Sequence, residues 1–421
     1  MQASPRLLLQ RRFLPLFVTQ FLGAFNDNLY KTAMVLLVTY HIYSDETREA
    51  AFNALAGGLF ILPFFLFSAI AGQLADGHDK ARIIRIVKTA EIAIMVFGAG
   101  GLLFHSIPLL LAALFAMGVH SAFFGPIKYA ILPQHLKPGE VLGGTGLVEA
   151  GTYGAILLGT IVGGIIPPPA SAGLVLFVAV IGWFTGRAVP PAPPVGDVPP
   201  VDHHIIRASI RLVRQTMHIP RLFLAIAAIS FFWAVGAVLA AQFPPLVKNV
   251  LIADQTVATM VLALFSIGVA IGSVLINRLL KGKVSARFAP ISALVMGAFV
   301  LDLWWVTGHW PDHGGSLHDI ATFLRQPGSY RVVLDLFGVA VAGGMFVVPL
   351  YAFLTTTVPA SETARTIAAN NIVNSGAMVV GALLAAAMAL AGFGVAQILL
   401  LVVFGSIGAA VIAQRLHKAC D

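Results

Sequence analysis

Thr19-Gln-Phe-Leu-Gly-Ala-Phe-Asn-Asp-Asn-Leu-Tyr-Lys31 interrupts an apolar run that extends from about Phe13 to Tyr40. At about 1.5 Å per residue, a helix of that length crosses a bilayer. Inside it stand Gln20, Asn26, Asp27, Asn28 and Lys31. Positions 20, 24, 27 and 31 follow the three-and-four spacing that stacks side chains on one helix face. Gln20, Asp27 and Lys31 therefore form a polar stripe, with Asn28 beside it. A charge at mid-membrane costs roughly 2.5–3.5 kcal/mol on insertion scales, so it faces a polar interior or a partner. Two expectations stand side by side. The stripe lines a substrate path, or Asp27 and Lys31 neutralise each other and hold helices together.

Working outward, the rest of the chain has the same character. Of 421 residues, 58% are hydrophobic and only 10% charged, and the mean hydropathy is +0.90. Water-soluble domains carry about 25% charged residues, so a soluble fold is excluded. The net charge of +8 is no sign of a nucleic-acid partner, because Lys and Arg lie mainly in short segments between apolar spans. The one cysteine, Cys420, leaves no intrachain disulfide and no Cys-based metal site. Arg6, Arg11 and Arg12 ahead of an apolar run imitate a signal peptide. That run is too long, is broken by Asp27 and lacks a small-residue cleavage site, so it reads as a retained first span.

About twelve spans are expected, near 13–40, 52–75, 83–104, 107–125, 141–166, 171–189, 221–247, 255–280, 287–308, 331–354, 364–391 and 394–414. Most basic residues fall in alternate connections, including Arg82, Arg85, Lys128, Arg211, Lys281, Arg287 and Arg365, which places both termini in the cytoplasm. Val189 to Pro200 is Pro-rich and reads as extended. After it, Arg207, Arg211 and Arg214 share one face of 205–217, and Ile206, Ile210, Val213 and Met217 another. This is the pattern of an amphipathic helix on the inner membrane surface. The expected organisation is a six-helix bundle over 1–189, a linker over 190–220 and a second six-helix bundle over 221–421. The fold class is an all-α polytopic membrane protein with twelve transmembrane helices in two six-helix pseudo-repeats.

The halves share a motif. Pro126-Ile-Lys-Tyr129-Ala130-Ile-Leu132 parallels Pro349-Leu-Tyr351-Ala352-Phe-Leu354, with one residue of slip. The step from Leu132 to Glu140 equals that from Leu354 to Glu362, and the next step takes Glu149 onto Asn371. Parallel six-helix repeats put a substrate site at mid-membrane between them.

After span two comes Gly72-Gln-Leu-Ala-Asp76-Gly-His-Asp79-Lys80-Ala-Arg82. It resembles the signature loop of the major facilitator superfamily, Gly-x-Leu-Ala-Asp followed by a basic cluster. Gly77 and Asp79 stand where that pattern has Arg and Gly. Gly72 permits close helix contact. Asp76, at a helix end, is placed to pair with a basic residue or cap a neighbouring helix. In that superfamily the loop latches the cytoplasmic side, so Gly72, Asp76, Lys80 and Arg82 are the expected gating residues. A tight turn with ordinary inside positives is the competing reading.

A finer resemblance is to the lysophospholipid transporter family, including the transporter domain of bacterial fusion proteins with acyltransferase and acyl-carrier-protein synthetase domains. It rests on the Gln20–Lys31 stretch with Phe-Asn-Asp-Asn, Pro126-x-Lys128-Tyr129-x-Ile-Leu132 and Gly146-Leu-Val-Glu149-Ala-x-Thr152. Gly343-Gly-Met-Phe-Val-Val-Pro349-Leu350 and Ala369-Asn-Asn-Ile-Val-Asn374 carry it into the second half. Some family members have an Arg in span seven, where this chain has Trp233, Gln242 and Pro244-Pro245. The resemblance implies a non-enzymatic flippase of the bacterial inner membrane, monomeric, without cofactor or metal. It would move lysophospholipids such as lysophosphatidylethanolamine to the cytoplasmic leaflet, where a separate acyltransferase or acyl-ACP synthetase re-acylates them.

The residues suit such a substrate. Its tail is comfortable in lipid, at about 0.8 kcal/mol per CH₂, and the obstacle to crossing is the charged head. Asp27, with Gln20 and Asn28, is placed to hold an ammonium group, and Lys31 to hold phosphate. Glu149 and Tyr153 make a second polar face in span five, with Asn371 and Asn374 as repeat mates in span eleven. Trp233 completes the expected substrate-binding set. Each has a structural alternative: Glu149 bonding the Lys128 loop, and the Asn residues acting as interhelical glue at about 0.6 kcal/mol per bond. Glu91, one turn from Lys88, reads as an inner ion pair, and Asp302 and Asp335 as interfacial. The glycines of span five resemble those of drug–proton antiporters, so a proton-coupled multidrug antiporter is the second reading. His309, Asp312, His313, His318 and Asp319 between 308 and 330 fit no standard metal spacing.

Overall fold

The computed structural model describes residues 4–38, 42, 46–196, 200–310 and 317–420. The expected end of the first span at Tyr40 lies outside them. Thirteen long or linker helices follow in order. They are α1 Leu14–Leu37, α2 Glu46–Gly77, α3 Lys80–Phe104, α4 Ile107–Ala130, α5 Pro138–Ile165, α6 Pro168–Arg187 and α7 Ile205–Met217. The second half holds α8 Pro220–Pro245, α9 Gln255–Leu279, α10 Ala289–Gly308, α11 Ser329–Thr357, α12 Thr363–Leu390 and α13 Leu400–Cys420.

Among the described residues, eleven helices are long and apolar enough to cross a membrane. The 24 residues of α1 span about 36 Å. Its polar stripe lowers its hydropathy, and with it the set reaches twelve. Local chemistry sets the ends. Proline opens the first turn of α1, α4, α5, α6, α8 and α10, where its missing N–H costs nothing. Asp79 caps α3 by accepting from Ala81 N at 3.0 Å, and Asp254 caps α9 through Thr256 N at 2.8 Å. Pro126 lies inside α4 and Pro349 inside α11, so the repeated motif is helical in both places. The Pro244-Pro245 pair ends α8, and the chain continues as a π-helical turn over Leu246–Val250.

The chain divides into two compact units. One comprises Met1–Thr216 with Leu354–Ile372, the other Met217–Phe353 with Val373–Asp421. The linker helix α7, the end of α11 and the start of α12 fall in the first unit. Within the first unit α1 packs on α5 and α6, α2 on α4, and α3 on α4 and α6. Glycine sets the closest approaches: a Cβ at Gly159 would meet Phe25 O at 2.4 Å, and one at Gly163 Leu29 O at 2.6 Å. The second unit repeats these pairings. Gly272 and Gly344 bring α9 against α11, Gly297 meets Ser406 of α13, and Gly381 meets Ala234 of α8.

The linker is not free chain. Ala192 donates its N–H to Asp79 Oδ1 at 2.8 Å and accepts from Lys80 N at 3.0 Å. The α7 helix packs one face on the bundle. Ala208, Ser209, Leu212 and Thr216 point inward, against Ala69, Ala368, Ala369 and Ile372. The helix turns its small residues to the bundle because they allow closer packing, and leaves Ile206 and Ile210 outside. Asp335 is buried, 2% exposed, and Asp302 pairs with Arg331 beside it.

Candidate functional site

The centre of the first unit is a buried charge cluster built from four helices. Lys88 Nζ lies 2.6 Å from Glu91 Oε2, with side-chain exposures of 0% and 3%. His120 Nε2 of α4 is 3.3 Å from the same oxygen. Asn26 of α1 donates to Glu91 Oε1 at 3.1 Å and to Val175 O of α6 at 3.2 Å. Room for the ammonium comes from glycine: a Cβ at Gly23 would stand 2.9 Å from Lys88 Nζ. Buried ions survive only when paired and hydrogen-bonded, which this arrangement provides.

Asp27 is attached to the edge of this cluster. Ser121 Oγ donates to Asp27 Oδ2 at 2.8 Å. Consecutive residues do matched work on both helices: α1 turns Asn26 to Glu91 and Asp27 to Ser121, and α4 turns His120 to Glu91 and Ser121 to Asp27. Among the described residues, no ion pair joins Asp27 to Lys31. Lys31 is exposed, with its Nζ 6.0 Å from the Phe60 ring centroid. Mutual neutralisation is therefore not how α1 accommodates its two charges. Gln20 is buried and accepts from Thr152 Oγ1 of α5 at 2.9 Å, while its amide nitrogen lacks a partner among the described residues. Asn28 donates to Ala24 O of its own helix at 2.8 Å, with its Cβ against Gly159.

A second polar contact joins α4 to α5. The Tyr129 hydroxyl donates to Glu149 Oε1, and Lys128 Nζ sits 4.8 Å from the Tyr129 ring centroid. Glu149 is 2% exposed, and the bond from Tyr129 ties it to the segment that holds Lys128. Tyr153 lies half-buried one turn on. Asn371 of α12 places its amide nitrogen 3.2 Å from where a Cβ on Gly125 would be.

In the second unit the remaining predicted residues meet at one hydroxyl. Trp233 Nε1 donates to Tyr351 OH at 2.8 Å, and Asn374 Nδ2 does so at 3.4 Å. Asn374 Oδ1 accepts from Ser230 Oγ at 2.7 Å. Tyr351 is the repeat mate of Tyr129, so both halves use the same tyrosine to tie the fourth helix of the repeat to the fifth.

The expected gating residues separate into two sets. Asp76 is 0% exposed and accepts from Ala364 N at 2.9 Å, Arg365 N at 3.0 Å and Arg365 Nε at 3.1 Å. It thus caps the first turn of α12 and pairs with a cation. Gly72 makes the contact possible, since a Cβ there would lie 2.6 Å from Ala368 Cβ. Lys80 is buried, its backbone held by Ala192, and Arg82 is exposed; among the described residues neither hydrogen-bonds to Asp76.

Reasoning from sequence missed His120, Ser121 and Ser230, and gave Arg365 and Tyr351 no site role. For His120 a signal existed, an ionisable side chain inside a span. In the 308–330 segment, His309 Nδ1 lies 2.8 Å from Trp305 O and Asp319 caps a short helix through Thr322 N at 2.8 Å. That bond holds the Asp319 carboxyl below the usual range. Asp312 and His313 lie outside the described residues, and no cluster of three metal-ligating side chains occurs among the described ones.

This fold has known counterparts. The chain is 26% identical over 361 residues to lysophospholipid transporter LplT of Serratia proteamaculans (strain 568), covering 82% of this chain and 80% of that protein. It is 27% identical over 358 residues to lysophospholipid transporter LplT of Yersinia pestis (strain Pestoides F), covering 82% and 79%. The human organic anion transporter MFSD10 (TETRAN) superposes with a TM-score of 0.80 at 14% identity, over 96% of this chain and 98% of that one. A bacterial homologue of the iron transporter ferroportin in its outward-facing state gives 0.70 at 14% identity, over 97% and 99%. The sequence profile of the Major Facilitator Superfamily matches residues 16–381, and the chain is a membrane transporter that belongs to this superfamily.

Proposed function

We propose that the protein is an alternating-access transporter that moves lysophospholipids, such as lysophosphatidylethanolamine, across the bacterial inner membrane to the cytoplasmic leaflet. Both termini are cytoplasmic in this reading. The chain acts as a monomer without cofactor, and a separate acyltransferase or acyl-ACP synthetase re-acylates the delivered lipid. The observation that carries the reading is Asp27, a half-buried carboxylate on α1 with one oxygen held by Ser121. Relatives named as lysophospholipid transporters over 82% of the chain support it.

The other carboxylate oxygen of Asp27 is left to accept an ammonium, at the edge of a cluster whose own charges are matched. Lys31, a turn away and unpaired with Asp27, supplies a point charge for the phosphate. The tail needs no protein partner, since each CH₂ left in lipid is worth about 0.8 kcal/mol. In proteoliposomes, Asp27→Asn is expected to reduce uptake of labelled lysophosphatidylethanolamine at least tenfold, with expression unchanged. Unimpaired uptake would remove Asp27 from the site, and no uptake by the parent protein would remove the substrate. The adjoining carboxylate–imidazole pair, Glu91 with His120, favours a second reading as a proton-coupled exporter. Ethidium efflux that an uncoupler collapses, without lysolipid binding, would establish that reading instead.

A further inference from the structure

We propose that the outer face of α7 is a binding surface for anionic phospholipid of the surrounding membrane, distinct from the transported lipid. The inner face of α7 is accounted for by its packing on Ala69, Ala368, Ala369 and Ile372. The outer face holds Ile206 and Ile210, 68% and 64% exposed, one turn apart. Arg207, Arg211 and Arg214 flank them. Together with His203 and His204 they line an open groove of about 810 Å³.

Two large apolar side chains set among three guanidinium groups match a bilayer interface with negatively charged headgroups. The isoleucines enter the acyl boundary and the arginines meet phosphate. A soluble partner of acidic character would satisfy the arginines and leave the isoleucines without reason. A neutral lipid would do the reverse. Charge complementarity therefore selects the anionic lipid.

Asp202 tunes this face. It accepts from Arg207 Nη2 at 3.0 Å and lies 3.2 Å from Arg211 Nη1, and those bonds hold its carboxyl below the usual range. Arg214 forms no ion pair among the described residues. Asp202 thus offsets part of the charge of the first two arginines and leaves the third whole. An arriving phosphate takes over guanidinium donors that Asp202 holds, since Arg binds either group through the same planar fork.

The test places an environment-sensitive fluorophore at His204→Cys in a Cys420→Ser background of the full chain. Two vesicle preparations are compared. Both contain about one fifth phosphatidylglycerol in phosphatidylcholine. In one the bromine quencher is on the phosphatidylglycerol chains, in the other on an equal amount of phosphatidylcholine. Net surface charge is identical, so any difference reports which lipid sits beside α7.

Quenching by brominated phosphatidylglycerol is expected to exceed that by brominated phosphatidylcholine several-fold, and the excess is expected to fall at high ionic strength. An uncompensated juxtamembrane arginine contributes roughly a fivefold preference, and Asp202 leaves Arg214 as the uncompensated one. Replacing Arg207, Arg211 and Arg214 by Gln should therefore abolish the difference, and replacing them by Lys should keep most of it. Asp202→Asn should increase it. Equal quenching in the parent protein would overturn the proposal, as would an excess that survives the Gln replacements.

Discussion

Replacing Asp76 by Asn leaves three N–H donors facing one carbonyl oxygen. In the native contact, Oδ1 accepts from Ala364 N, and Oδ2 accepts from both Arg365 N and Arg365 Nε. Asn orients its oxygen toward Arg365 N and Nε and its own amide donors toward Ala364 N, so one bond is lost outright and the other two lose their charged acceptor. At about 1.5 kcal/mol for the lost bond and about 0.7 kcal/mol for each weakened one, the start of α12 loses roughly 3 kcal/mol of attachment to α2. Asp76 is fully buried and the Arg365 side chain is 18% exposed, so solvent screens little of this. The open population of the contact should rise by a factor on the order of 10². Thr363, 1% exposed, reports it: Thr363→Cys, in a Cys420→Ser background, is shielded from a water-soluble maleimide while the contact holds. Asp76→Asn is expected to speed its labelling in membranes at least tenfold. Gly72→Val should do the same by a separate route, because its Cβ would stand 2.6 Å from Ala368 Cβ. If neither substitution changes the labelling rate, the Asp76 contact does not hold this helix end, and its role as a gate falls.

Further consequences follow from the same geometry. Glu91→Gln strands Lys88 in the bundle interior and should cost about 3–5 kcal/mol, read as a lower unfolding midpoint in mixed micelles; an unchanged midpoint would mean water reaches the cluster. Gly159→Val drives a side chain into Phe25 O and should cost about 1–3 kcal/mol. Gly164→Ala, with nothing within 4 Å, should be neutral or stabilising by up to about 1 kcal/mol; comparing the two midpoints tests the α1–α5 packing. Tyr351→Phe removes the acceptor of Trp233 and should change the environment of that indole in a tryptophan emission spectrum. Asp202, with its folded value depressed, contributes fully above its unfolded value of about 4 and loses that contribution as pH falls through the lower folded value. The Asp202-dependent part of the fluorescence from a probe at position 204, read as the difference between the parent and Asp202→Asn, should therefore be flat from neutral pH to about 5 and fall only below about 4.

The long helices were legible because a bilayer demands unbroken apolar runs of fixed length, and the repeat because Pro126 and Pro349 open matching Tyr-Ala segments in the two halves. Gln20, Asp27 and Lys31 were legible because helical spacing puts them on one stripe. Their partners were not. Ser121 looks like an ordinary small residue until α4 is laid against α1, His120 is an ionisable group inside a span whose partner only that packing shows, and Arg365 reads as one of many inside positives until Gly72 admits α12 to α2. The face that α7 turns to the bundle was not legible either. Hydropathy singles out Ile206 and Ile210, whereas close packing on Ala69 and Ala368 takes the smaller Ala208, and the isoleucines face out.

The identity of the transported molecule is the claim on which the rest depends. Native mass spectrometry of the protein purified from its own membranes reads it directly, without a choice of substrate by the experimenter. The parent protein is expected to carry one bound lysophospholipid, and Asp27→Asn to have lost it while keeping annular diacyl lipid. Diacyl lipid alone on both proteins, or lysophospholipid retained in full by Asp27→Asn, would contradict the account.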